Sequence, residues 1–96
     1  MGRSEVLQVL DAHRQDLTRF GVKTLALFGS VARDEATAAS DVDFLVQFDK
    51  APTFDQYMAL KFFLEDCLGR RVDLVPRDSL KPRLRPLVEK EAIDVA

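Results

Sequence analysis

Ninety-six residues, 47% apolar and 31% charged, suffice for one small domain (1–96) with a modest core. A formal net charge of −2 gives no global electrostatic case for nucleic acid or a membrane surface. A lone cysteine, Cys67, excludes a disulfide framework and fits a reducing cytoplasm; the amino terminus has no apolar signal core, and no run reaches membrane-spanning length.

In chain order, Ser4 is positioned to cap a first helix. Val6, Leu7, Val9, Leu10, His13, Leu17 and Phe20 recur at helical spacing, and Gly21 is placed to end it. Residues 23–28 read as a first strand, 31–34 as a short helical turn, 35–40 as a polar loop and 41–48 as a second strand. Thr53-Phe54-Asp55-Gln56 is a capping-box pattern opening a second long helix that Gly69 closes. Residues 71–75 form a third strand stopped by Pro76. Pro82 and Pro86 confine 78–91 to short helical pieces, and 93–96 make a last short strand. Two long helices among strands of mixed connection predict an α/β sandwich, one sheet with helices on one side.

The chemistry gathers around "LFGSVARDEATAASDVDFLV". Residues two apart in a strand share a face, about 7 Å apart, so Asp41 and Asp43 stand together at the mouth of the second strand. Two neighbouring carboxylates repel in any partly buried place, and hard divalent cations relieve that repulsion. Asp73, between Val72 and Leu74, joins them if the third strand pairs with the second; an arginine is the competing partner, with Arg70 and Arg71 adjacent. Three converging acids could hold two metal ions about 3.5–4 Å apart, as in phosphoryl transfer. Gly29-Ser30 sits between a strand end and a helix start, where amide N–H groups favour an anion and glycine allows close approach. Arg33, one turn on, either faces phosphates or locks the loop through an acid. A Gly-Ser turn or an Asp-x-Asp alone is ordinarily structural; their order along the chain is what points to one chemistry.

Gly29-Ser30, ten residues, then Asp41-x-Asp43 resembles the signature of the nucleotidyltransferase superfamily that includes DNA polymerase β. The chain is most similar to the minimal nucleotidyltransferases (MNT), and the likeness continues through "GRRVDLVPRDSLKPRLRPLVEKEAIDVA". The resemblance implies a nucleotidyltransferase fold, a mixed sheet of about four strands with helices packed on one side. It implies Asp41, Asp43 and Asp73 as catalytic metal ligands, Gly29, Ser30 and Arg33 at the nucleotide, ATP as substrate, and Mg²⁺ (two ions, with Mn²⁺ as a substitute). Many MNT proteins are antitoxins of type VII pairs, transferring AMP to a tyrosine of a HEPN-domain RNase toxin; a hetero-oligomer with such a toxin is therefore implied, with no membrane and no direct nucleic-acid contact. Two alternatives stand beside this reading: an antitoxin that neutralises by binding alone, and a transferase acting on a small-molecule hydroxyl. The second is weakened by the lack of an acceptor-binding domain. Asp34 is a departure, because relatives often carry glycine there.

Other features admit plainer readings. Tyr57, Leu60, Phe63, Leu64, Cys67 and Leu68 form one face of the long helix, with Tyr57 and Cys67 expected in the core. Phe54, Met58 and Phe62 form a second row that either packs under the first helix or meets a partner. Arg70, Arg71, Arg77, Lys81, Arg83, Arg85 and Lys90 read first as a solvated basic face, and His13 as a boundary residue.

Overall fold

A computed structural model describes residues 2–37 and 39–95. Ala38, in the expected loop, and Ala96, at the end of the expected last strand, lie outside the described residues. The elements run α1 (Arg3–Asp11), α2 (Arg14–Arg19), β1 (Val22–Phe28), α3 (Gly29–Ala32), β2 (Val42–Phe48), α4 (Phe54–Leu68), β3 (Val72–Pro76), a 3₁₀ turn (Arg77–Ser79), α5 (Arg85–Glu91) and β4 (Ile93–Asp94). Among the described residues no helix is long and apolar enough to cross a membrane.

The four strands form one mixed sheet in the order β3-β2-β1-β4. β1 pairs antiparallel with β2 and β4, whereas β2 and β3 run parallel, joined by the α4 crossover. The two-residue alternation of a strand sorts the sheet's faces. Leu25 and Leu27, Val42, Phe44 and Val46, and Val72 and Leu74 enter the main core with Val6 and Leu10 of α1, Leu17 of α2, and Leu60, Leu64 and Leu68 of α4. The opposite face carries Ala26, Asp43, Leu45 and Asp73. Every polar residue of the expected site on β2 and β3 therefore falls on the face away from the main core.

Helix α4 begins and ends as its sequence dictates. Thr53 Oγ1 accepts a hydrogen bond from the Gln56 amide at 3.1 Å, and Gly69 closes the helix in the left-handed region, φ 64°. Its side chains also protect the outer edge of β3. In a parallel ladder alternate residues turn their N–H and C=O outward. On β3 the outward Val72 N–H donates to Glu65 Oε2 at 3.0 Å, and the outward Leu74 carbonyl accepts from the Tyr57 hydroxyl. An edge dressed in this way is a poor template for another strand.

Several expectations change. The first helix is two: α1 ends at Asp11, and His13 becomes the N-cap of α2, its Nδ1 lying 3.1 Å from Asp16 Oδ2 and its ring edge-on to Phe63. Apolar periodicity runs straight across this break, because both helices bury the same face. Ser4 does not cap α1; Gly2 occupies that position without a side-chain bond. The short helix starts two residues early, at Gly29. Tyr57 and Cys67 are half-buried rather than core. Phe54 and Phe62 are 75% and 54% exposed and Met58 is half-buried, so this row does not pack beneath α1.

Candidate active site

The register of β1 against β2 creates the site. Phe28 pairs with Asp43, so Gly29, the next residue, is delivered directly against the Asp43 side chain. The contact is so close that a Cβ on Gly29 would overlap Asp43 Oδ2. Gly29 also has φ 77°, a conformation that side chains resist. Two independent constraints thus demand glycine here, and both come from bringing a backbone turn up to a carboxylate.

The register of β2 with β3 supplies the second acid. Asp43 and Asp73 are directly paired in the parallel ladder, which sets their Cα atoms about 4.8 Å apart on one face. Burial pushes the Asp43 carboxyl up to about 6, with the Asp73 and Asp41 charges adding to the rise, and Arg33 opposing it. The Asp73 charge also contributes, after burial, to raising the Tyr57 hydroxyl.

Asp41 precedes β2, and its Oδ1 lies 3.4 Å from Arg71 Nε in an exposed ion pair. Arg71 was a candidate partner for Asp73; the structure gives it to Asp41. Among the described residues no three acids, histidines or cysteines are close enough together to hold a metal ion. Asp43 and Asp73 nonetheless fit a hard divalent cation by chemistry: both offer oxygen ligands, and the charge on Asp43 is under-compensated. Asp41 is engaged by Arg71, in a pair that exposure makes weak.

The turn side of the site holds an anion already, one from the protein itself. Glu91, the last residue of α5, accepts from the Gly29 N–H through Oε1 at 3.1 Å, and its Oε2 lies 2.9 Å from Arg33 Nη1. Arg33 Nε meets Glu35 Oε1 at 3.1 Å. The Glu91 hydrogen bond is the largest influence raising the Arg33 pKa. Arg33 therefore locks the loop through two acids, while Ser30 is half-exposed at the same turn. Asp34, the departure noted in the sequence, has φ 60°, which explains why glycine suits this position. Aspartate tolerates it and gains a contact, its Oδ1 accepting from the Arg3 N–H at 3.3 Å.

Of the six residues that the sequence singled out, the strand registers bring Gly29, Asp43 and Asp73 together, Ser30 and Arg33 lie on the same turn, and Asp41 is engaged by Arg71 instead of completing a cluster of three acids. Sequence reasoning missed Glu91, 62 positions from Gly29. A signal existed: Glu91 is an acid at the C-terminal end of a helix, where the helix dipole disfavours it.

Comparison with known proteins gives the family. Residues 8–95 match the family model described as a nucleotidyltransferase domain. The chain is 42% identical over 92 residues to the protein adenylyltransferase MntA of Thermococcus cleftensis, covering 95% of this chain and 93% of the relative. A solved structure described as a candidate minimal nucleotidyltransferase superposes with a TM-score of 0.84 at 41% identity, covering 97% of this chain and 95% of the other. An MNT antitoxin complexed with a tri-AMPylated HEPN toxin of Shewanella oneidensis shares the fold, with a TM-score of 0.65 at 22% identity over 94% of this chain and 71% of the matched one. A family model matched over residues 8–95 and a relative 42% identical over nearly the whole chain agree, and this chain belongs to the nucleotidyltransferase domain family.

Proposed function

We propose that this chain is a metal-dependent protein adenylyltransferase that acts as an antitoxin, moving AMP from ATP to a hydroxyl, that of a tyrosine, on a HEPN-type RNase toxin. The observation that carries the reading is the contact of Gly29 with Asp43, which sets an anion-accepting turn against a carboxylate pair. Kinship supports the reaction class, since a relative covering nearly the whole chain is a protein adenylyltransferase.

The division of labour follows from position. On this reading the Gly29 amide, the Ser30 hydroxyl and Arg33 receive the outer phosphates, which carry most of the nucleotide's charge; the carboxylate that the Gly29 amide and Arg33 hold supports an anion there. Asp43 and Asp73, with Asp41 released from Arg71, would hold Mg²⁺. When bound, that ion supplies neutralisation of the phosphates and of the departing pyrophosphate. Asp73, exposed at the edge strand, lies where an acceptor hydroxyl can approach from outside. The new bond joins the acceptor oxygen to the α-phosphorus; the bond from that phosphorus to the bridging oxygen breaks, and the hydroxyl proton leaves to solvent or a carboxylate.

The test is label transfer. Wild-type protein, α-labelled ATP and Mg²⁺, incubated with the protein encoded beside it, should label that protein on tyrosine, and Asp41→Asn with Asp43→Asn should abolish the label. Label that survives the double substitution removes the proposal. Neutralisation of the partner by the unlabelling double variant would establish masking by binding instead.

A further inference from the structure

We propose that Glu91 is an internal competitor for the nucleotide's phosphates, a latch that fills the Gly29–Arg33 grip until a nucleotide displaces it. This rests on the nucleotidyltransferase reading of the same site. Glu91 engages the grip with both oxygens, one on the Gly29 amide and one on the Arg33 guanidinium. A carboxylate so held uses the charge-assisted contacts that a phosphate oxygen would need. The two compete at the backbone: the turn has one Gly29 N–H, and Glu91 takes it, while on Arg33 Glu91 holds Nη1 and Glu35 holds Nε.

The latch is built to open. None of the α5 residues is buried, the helix begins without a side-chain cap, and Leu87 on it is 67% exposed. Glu91 sits at the helix end where the dipole repels it, so its hold depends on the two contacts it makes. It also adds negative charge beside the Asp43–Asp73 pair, whose repulsion of an incoming triphosphate falls when Glu91 swings away. A rotation of the Glu91 side chain is enough, because Ala92 leads at once into β4, which stays paired to β1.

The experiment is calorimetric titration of AMP-PNP with Mg²⁺, and of inorganic tripolyphosphate alone, into wild type, Glu91→Ala, Glu91→Gln and Arg33→Ala. Removing the competitor should tighten AMP-PNP binding about tenfold in Glu91→Ala, the size expected for one charge-assisted hydrogen bond lost at a partly exposed site. Tripolyphosphate should follow in the same direction, and Arg33→Ala should bind both more weakly. Should Glu91→Ala fail to fold, Glu91→Gln carries the test: it keeps the shape and the Gly29 contact but drops the charge, and it too must bind more tightly. A merely structural Glu91 would lower the melting temperature without raising affinity. Equal or weaker binding by the Glu91 variants, with wild type binding, overturns the latch alone; absence of binding by every form overturns the nucleotide site itself and the latch with it.

Discussion

Asp43→Asn should stabilise the metal-free protein, by an amount that grows from about pH 4 and is complete above about pH 6. Folding moves the Asp43 carboxyl from its ordinary value near 3.8 up to about 6, chiefly by burial and then by the Asp73 and Asp41 charges. Because the folded value is the higher one, stability from this group is fully present below pH 4 and is lost as pH rises through 6. The rise is worth about 3 kcal/mol before screening. Asp43 is only partly buried, so solvent reduces this to about 1 kcal/mol. In a domain of this size that is a melting-temperature difference of about 4–8 °C. Thermal melts of wild type and Asp43→Asn in EDTA from pH 4 to 8 should therefore nearly coincide at pH 4, diverge between pH 4 and 6 and keep a constant gap above that, the variant melting higher. Millimolar Mg²⁺ at pH 8 should narrow the gap by raising the wild type alone. A variant that melts lower than wild type at pH 8, or a gap that ignores pH, would refute the argument that Asp43 is held in an uncompensated carboxylate pair.

Four further outcomes are expected. Gly29→Ala should lose about 2 kcal/mol or more in urea unfolding, since the methyl meets the Asp43 carboxylate and the backbone is left-handed; a neutral result would contradict the close approach. Asp34→Gly should stay within about 0.5 kcal/mol of wild type, relief at φ 60° offsetting the lost Arg3 contact, whereas Asp34→Val should cost about 1.5 kcal/mol or more. Thr53→Ala should cost about 1 kcal/mol by removing the α4 cap, read by the same unfolding measurement. Tyr57→Phe should lose about 1 kcal/mol and speed hydrogen exchange along the β3 edge; unaltered protection would mean that the hydroxyl does not hold that strand.

The parts of the molecule legible in the sequence are those that local physics writes locally. The α4 helix announces itself through Thr53, Gln56 and Gly69, and the strands through their alternation. The Gly29-Ser30 to Asp41-x-Asp43 spacing survives because β1 and β2 are adjacent antiparallel strands, so residues near in sequence stay near in space. What was hidden depends on distant pairing. Glu91 reaches Gly29 only because β4 returns to β1, and Arg71 meets Asp41 only because β3 lies beside β2. The break between α1 and α2 carries no glycine or proline, and an apolar stripe shared by two helices looks like the stripe of one. The exposure of Phe54 and Phe62 was equally beyond reach, since a helical row does not say which neighbour is present to cover it.

The most direct measurement is Mn²⁺ binding in the presence of AMP-PNP, followed by electron paramagnetic resonance, for wild type and for Asp43→Asn with Asp73→Asn. The strand pairing that joins residues 43 and 73 predicts that wild type takes up Mn²⁺ together with the nucleotide and that the double variant, still folded by its melt, does not. Equal Mn²⁺ uptake by the two proteins would contradict the claim that this carboxylate pair is the metal-holding half of the site.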